Sequence, residues 1–151
     1  AQLLRNLIHF ASRDAMDIDG VGPAVMRQLI ESGLVSNPAD LYDLRAEQLA
    51  DLERMGTKSA QNAVDAIAKS KENDLWRLIF ALGIRQVGAK AAKILAAHFG
   101  GMEALRRAAA EELTQIDDVG AVTADYIIRW MSSDQAVDLL ERLKSEGILS
   151  F

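Results

Sequence analysis

The chain has 151 residues, no cysteine, two histidines and a formal charge of −5, which excludes disulfides and a thiolate zinc site within it. Half of its residues are apolar but only 5% are aromatic, with Ala and Leu dominant, the profile of closely packed helices with enough chain to bury a core. It has no run of about 18 apolar residues and no signal-peptide pattern, so a soluble intracellular protein, or a piece of one, is expected.

In chain order, LLRNLIHFAS (residues 3–12) shows helical apolar spacing at Leu3, Leu4, Leu7, Ile8 and Phe10. SRDAMDI then leads to a turn, and Pro23 stands where a helix best tolerates proline. The next helix runs through VMRQLIES to Gly33, a C′ residue. Asn37-Pro38 is a strong helix start, and short helices over ADLYDL and AEQLADL follow. From Thr57 a longer helix carries Ala60, Ala63, Val64 and Ile67 on one face, and its polar end, KSKEN, is the expected hinge. DLWRLIFAL, then AKAAKILAAHF up to Gly100-Gly101, open a second half in which MEALRRA and AEELTQI repeat LYDLRA and AEQLADL. VTADYIIRWM and DQAVDLLERLKSE are the last helices. Ser132 with Gln135 reads as a capping box, Gly147 as the stop, and ILSF as the beginning of a linker. No period-2 alternation or Asn-Gly turn signals a strand.

Four of the turns share one form: an apolar residue, two turn formers, an apolar residue, then Gly and a helix start. They are Ile18–Gly22, Leu52–Gly56, Ile84–Gly88 and Ile116–Gly120, their last glycines 34, 32 and 32 residues apart. A repeat of this period sets the architecture. The expectation is an all-α fold of four tandem hairpins, in two pairs related by an approximate internal twofold, the halves covering about 1–71 and 72–151. Gly allows φ > 0 and close approach of another backbone. The helix that follows presents unpartnered N–H groups and its positive dipole end, a ready anion site. Ile18 and Val21 are expected to plug into the core and hold the first turn rigid. A net charge of −5 is awkward for a nucleic-acid binder, yet Arg13, Arg27, Arg54, Lys58, Arg85, Lys90 and Lys93 cluster near the turns. The acids concentrate at 40–53 and 111–118. His9 and His98 lie too far apart in sequence to suggest a metal site.

The pattern resembles the helix-hairpin-helix DNA-binding motif. The strings LIHFASRDAMDIDGVG, LERMGTKSAQNAVDAI and FALGIRQVGAKAAKIL are more specific, and similar to the helix-hairpin-helix domain of bacterial NAD-dependent DNA ligases over essentially the whole chain. In that family the domain follows an adenylation domain, an OB-fold and a four-cysteine zinc module, and precedes a BRCT domain, so Ala1 and Phe151 would fall at those borders. The resemblance implies sequence-independent binding of nicked duplex DNA through phosphates in and beside the minor groove. The setting would be replication and repair in the bacterial cytoplasm, at the nucleoid, with the chain a monomer and in contact with its own flanking domains. Gly22, Gly56, Gly88 and Gly120 would present hairpin amides to phosphates, with Gly20 leading the first turn and Arg13, Arg54, Lys58, Arg85 and Lys90 adding charge. Only the first turn keeps that leading glycine; Arg54, Gln86 and Asp118 replace it elsewhere. The fourth hairpin carries Asp117 and Asp118 with no cation near in sequence, so it ranks weakest as a DNA site and is expected to pair mainly with the third.

The family's NAD, Mg and Zn belong to its other parts, and no cofactor is expected here. Ligation runs through a lysine in a Lys-x-Asp-Gly motif, which this sequence lacks, so the fragment should be non-catalytic. Other readings stand beside this one, among them the helix-hairpin-helix DNA-binding part of another repair nuclease, although such proteins share the motif without SRDAMDIDG or the 32-residue spacing. A second is a repair lyase or glycosylase using a desolvated Lys58 or Lys90 as Schiff-base nucleophile; a third is a helix-hairpin-helix module for protein contacts, whose mark would be a long exposed apolar stripe.

Overall fold

The computed structural model describes residues 2–52 and 55–151, and the described residues form ten α-helices and two 3₁₀ turns with no strand. The helices are α1 (Gln2–Ala11), α2 (Pro23–Glu31), α3 (Ala46–Ala50), α4 (Thr57–Lys69), α5 (Leu75–Ala81), α6 (Ala89–Phe99), α7 (Met102–Arg106), α8 (Ala110–Thr114), α9 (Ala121–Ser132) and α10 (Asp134–Ser145). The all-α expectation holds. Each of the four turns joins two helices that pack on each other: α1 with α2, α3 with α4, α5 with α6, and α8 with α9. The packing follows from apolar spacing. Ala60, Ala63 and Ile67 on α4 are buried in step with the helical period, and small Ala side chains let a neighbouring backbone come close. Leu7, Phe10, Met26, Leu29, Leu49, Leu78, Ile79, Leu95, Leu140 and Leu143 fill the core at 1% exposure or less, each worth about 1.5–3 kcal/mol of apolar burial.

Helix punctuation is largely as the sequence indicates. Pro23 opens α2, and Asn37 caps the 3₁₀ turn Pro38–Asp43 through a reciprocal box with Asp40. Gly33, Gly100 and Gly147 take φ of +78°, +75° and +88° at helix ends. Three expectations are corrected. The cap of α10 is Ser133, not Ser132: its Oγ accepts the Ala136 N–H at 3.2 Å, while Ser132 is still the last residue of α9. α9 simply runs one residue further than its apolar pattern, and a single extended residue separates it from α10. The polar KSKEN stretch is tied down rather than free to hinge. Ser70 is buried and shares a 2.8 Å hydrogen bond with Tyr42 Oη, and Asn73 Nδ2 donates to the Met16 carbonyl at 2.8 Å. Finally, ILSF is docked. Ile148 is buried, the Leu149 N–H donates to Lys71 O at 2.9 Å, and Ser150 O accepts from the Met102 N–H at 2.8 Å.

Residues far apart in sequence are joined by more than apolar contact. Arg77 Nη1 donates to the carbonyls of Arg13 and Ala15, both at 3.0 Å. His9 Nε2 donates to Phe80 O at 2.7 Å. Arg142 on α10 grips Asp40 and, at 2.8 Å, Asp43. Burial pushes the Asp40 carboxyl up, but hydrogen bonds from Ser36 and Arg142 outweigh it and hold the pKa below its ordinary value. These links fix the first hairpin's approach against α5, and α10 against the turn ahead of the second.

Candidate nucleic-acid interface

The apolar pair of each turn is its anchor. Ile18 and Val21, Ile84 and Val87, and Ile116 and Val119 are all buried, while Leu52 and Met55 are half-buried. The expected plug is therefore present in the first turn and repeated in the third and fourth. A backbone hydrogen bond from the second apolar residue to the first closes the later three turns: Met55 to Leu52 at 3.2 Å, Val87 to Ile84 at 3.0 Å and Val119 to Ile116 at 3.1 Å. The third and fourth hairpins thus combine a plugged base with a closed ring, and an exposed Gly stands at the outer corner of all four.

The two glycine positions of the motif have different reasons. The final glycines were expected to supply φ > 0, and they do not. Gly22, Gly56, Gly88 and Gly120 have φ of −73°, −92°, −86° and −85° with extended ψ, and each is the N-cap of the next helix. The left-handed residue lies two positions earlier: Gly20 at +91°, Gln86 at +72° and Asp118 at +69°. This is the third position of a four-residue turn, where a type II turn demands φ > 0. In the third and fourth hairpins the missing leading glycine thus leaves the left-handed conformation in place. Arg54, which holds that place in the second hairpin, lies outside the described residues.

A Cβ built on Gly22, Gly56, Gly88 or Gly120 meets nothing within 4 Å. Neither backbone conformation nor internal packing requires glycine at these four exposed corners. Gly20 is the opposite case, since its Cβ would lie 3.2 Å from Ala63 Cβ. So Gly20 is set by the fold, whereas the four corner glycines leave their outer side open. The carbonyl of each corner glycine accepts the first helical hydrogen bond, from Met26, Ala60, Ala92 and Ala124 respectively, all at 2.9 Å. The amides between each corner glycine and that donor have no partner within the helix: three each in α4, α6 and α9, but two in α2, where Pro23 has no N–H.

Of the expected cations, Lys58, Arg85 and Lys90 stand within three residues of a corner glycine, and Arg54 lies outside the described residues. Arg13, Lys58, Arg85 and Lys90 are exposed. Arg85 lies over the Tyr126 ring, 5.4 Å from its centroid. Lys90 Nζ is 3.5 Å from Asp118 Oδ2, with side chains 82% and 51% exposed. This corrects the view that the fourth hairpin has no cation nearby: Lys90 reaches it from α6, and Arg85 reaches α9. These two side-chain contacts link the third and fourth hairpin units. An amine so exposed is not desolvated, which removes the ground for Lys90 as a Schiff-base nucleophile. Replacing Asp118 with Gly should relieve a left-handed side chain and free Lys90. The expected result is a stability gain of about 0.5–1 kcal/mol in thermal melts and an anion affinity about two- to fivefold higher. Weaker binding would mean Asp118 itself orders the site.

Sequence reading missed one cluster. Trp76 is flanked by Arg77, 4.7 Å from its ring centroid, and by Lys93, 4.6 Å, and Arg77 in turn holds the Arg13 backbone. Two cations from two helices thus meet at one indole. Lys93 could be suspected from its place one turn beyond Lys90, but nothing in spacing couples Arg13 to Arg77. Among the described residues no group of three His, Cys, Asp or Glu could hold a metal ion, and no helix is long and apolar enough to cross a membrane. The large exposed apolar residues, Val122, Val137 and Leu149, come from separate elements and form no stripe along one helix.

Comparison with known proteins agrees with this geometry. Residues 12–69 match the SAM-like helix-hairpin-helix tandem family and residues 77–140 the helix-hairpin-helix motif family. The chain is 53% identical to a DNA ligase of Heliobacterium modesticaldum, and 49% identical to DNA ligases of Thermoanaerobacter sp. (strain X514) and Bacillus subtilis (strain 168). Each match covers 98% of this chain, which spans only 22% of those relatives' length. With plugged hairpins, capping glycines and matches along nearly its whole length, the chain belongs to the helix-hairpin-helix domains of the bacterial DNA ligases.

Proposed function

We propose that this chain holds duplex DNA, nicked DNA in particular, by its backbone phosphates without reading sequence, as the DNA-gripping part of an NAD-dependent ligase that acts in replication and repair. The carrying observation is the four corner glycines whose absent Cβ faces open space. A phosphate oxygen is a group that needs this room, and free amides at a helix start are its natural donors. Gly22, Gly56, Gly88 and Gly120 supply the corners, and Arg13, Lys58, Arg85 and Lys90, with Arg54 in the second hairpin, supply charge. The names of the relatives support the ligase setting. The adenylation chemistry, with NAD, Mg and Zn, is assigned to the remainder of such a ligase, as are the zinc module before this segment and the BRCT domain after it. The protein is taken to act as a cytoplasmic monomer at the nucleoid, and this segment to have no catalytic step of its own.

The test is a titration of labelled duplexes at several salt concentrations. Neutralising about four to six phosphates gives a log–log slope of about −4 to −5, and unrelated duplexes of equal length should bind alike. A flat salt response, or tenfold discrimination between sequences, overturns the proposal. Mass spectrometry after incubation with NAD should show no lysine–AMP adduct; finding one would mean that adenylation chemistry resides in this segment.

A further inference from the structure

Beside the hairpin corners, α1, the third hairpin and the α9–α10 pair wall a groove of about 1160 Å³. Its charged lining is three arginines, Arg5, Arg85 and Arg129, against a single carboxylate, Asp138. That is a local excess of positive charge in a chain whose net charge is −5. Tyr126 and Trp130, one turn apart on α9, also line it. Arg85 already lies on the Tyr126 ring, and Arg129 is held by Asp125 at 2.9 Å with its side chain 77% exposed.

We propose that this groove is a second nucleic-acid subsite, which takes an unpaired strand branching from the duplex. Guanidiniums interleaved with aromatic rings are the chemistry of single-strand binding: cations follow the phosphates while bases stack on rings. A duplex keeps its base faces stacked against each other and cannot use Tyr126 or Trp130 in this way. An acidic peptide would meet the arginines but leave the rings idle. The groove also shares Arg85 and Val87 with the third hairpin, so a strand leaving a duplex seated on that corner enters it directly. The inference rests on the duplex reading for this geometry, but single-strand binding can be measured without it.

The experiment compares three labelled probes by anisotropy: a nicked duplex, the same duplex with an unpaired thymidine tail of about ten nucleotides at the nick, and the tail alone. The tail is expected to tighten binding about tenfold. In Arg5→Gln/Arg129→Gln, whose side chains lie outside the corners, that gain should vanish while untailed duplex binding stays within about twofold. Photocrosslinking of a bromouracil tail should mark Tyr126 or Trp130. A tail that adds nothing, a gain that survives the double substitution, or crosslinks confined to the hairpin corners overturns the proposal. So does displacement of the tail by a poly-glutamate peptide at equal potency, which would make the groove a docking site for acidic protein. Binding of the tail alone, lost in the double variant, combined with no affinity for duplex, would sink the duplex reading and leave this one standing.

Discussion

Gly88→Asp should reduce DNA affinity about tenfold or more while leaving the protein as stable as before, or slightly more so. Gly88 has the extended conformation of an N-cap, φ −86° and ψ −172°, with room for a side chain. Asp is a better N-cap than Gly by a few tenths of a kcal/mol, because its carboxylate accepts from the first free amides of α6. Those are the amides proposed for the phosphate, so the new carboxylate occupies the anion's place from within. It also adds repulsion of about 1–4 kcal/mol against a phosphate about 4 Å away, in a corner that Arg85 and Lys90 otherwise make attractive. Gly56→Asp should behave alike, flanked by Lys58 and Arg54. Gly120→Asp should matter less, since Asp117 and Asp118 already occupy the fourth turn and Lys90 is engaged there. Circular dichroism melts beside anisotropy titrations check both halves of the claim. A folded Gly120→Asp that proved the most damaging of the three would show that hairpin geometry outweighs local charge.

Two residues away from a corner the outcome should reverse. Gly20→Val is expected to destabilise the fold by about 2–4 kcal/mol, read as a lowered urea midpoint. A β-branched residue at φ +91° is strained, and its Cβ would press on Ala63 at 3.2 Å, in the wall of α4. Strain alone does not reserve the site for glycine, because Gln86 and Asp118 hold the same φ region with side chains. The approach of Ala63 does. Gly22→Ser, by contrast, should stay within about 0.5 kcal/mol of the parent, since serine is a favoured N-cap and nothing crowds the site. If Gly22→Ser unfolded the chain and Gly20→Val did not, the division into internal and external glycines would be wrong.

What sequence revealed was local, and what it missed was mostly long-range. Hairpins repeat at intervals of 34, 32 and 32 residues, and each is built within a short window, so buried pairs such as Ile84–Val87 could be read from spacing. The role of the glycines was read only partly. One-letter patterns do not separate a residue needed for its φ from one needed for empty space, so positive φ was assigned to Gly22 and its equivalents instead of to Gly20, Gln86 and Asp118. The cap at Ser133 was missed by one place because two adjacent serines fit the pattern equally. Polar KSKEN and the short ILSF look unconstrained in isolation. They are held by partners, Tyr42, Met16 and Met102, that no periodicity connects to them. The arginine–aromatic groove was invisible for the same reason, as it gathers residues from 5 to 130.

The hydrogen bonds from Leu149 to Lys71 and from Met102 to Ser150 bear on the order of folding. Each hairpin closes over a few residues, at little loop entropy, and such contacts form fast. The clasp made by residues 148–150, with the Arg142–Asp40 link across 102 positions, must wait until both ends of long loops are brought together. It is therefore expected to form on the late side of the barrier, where lost contacts speed unfolding and leave refolding almost unchanged. Residues 148–150 are thus expected to set the lifetime of the assembled form, so that Ile148→Ala should speed unfolding in stopped-flow traces and leave refolding almost unchanged.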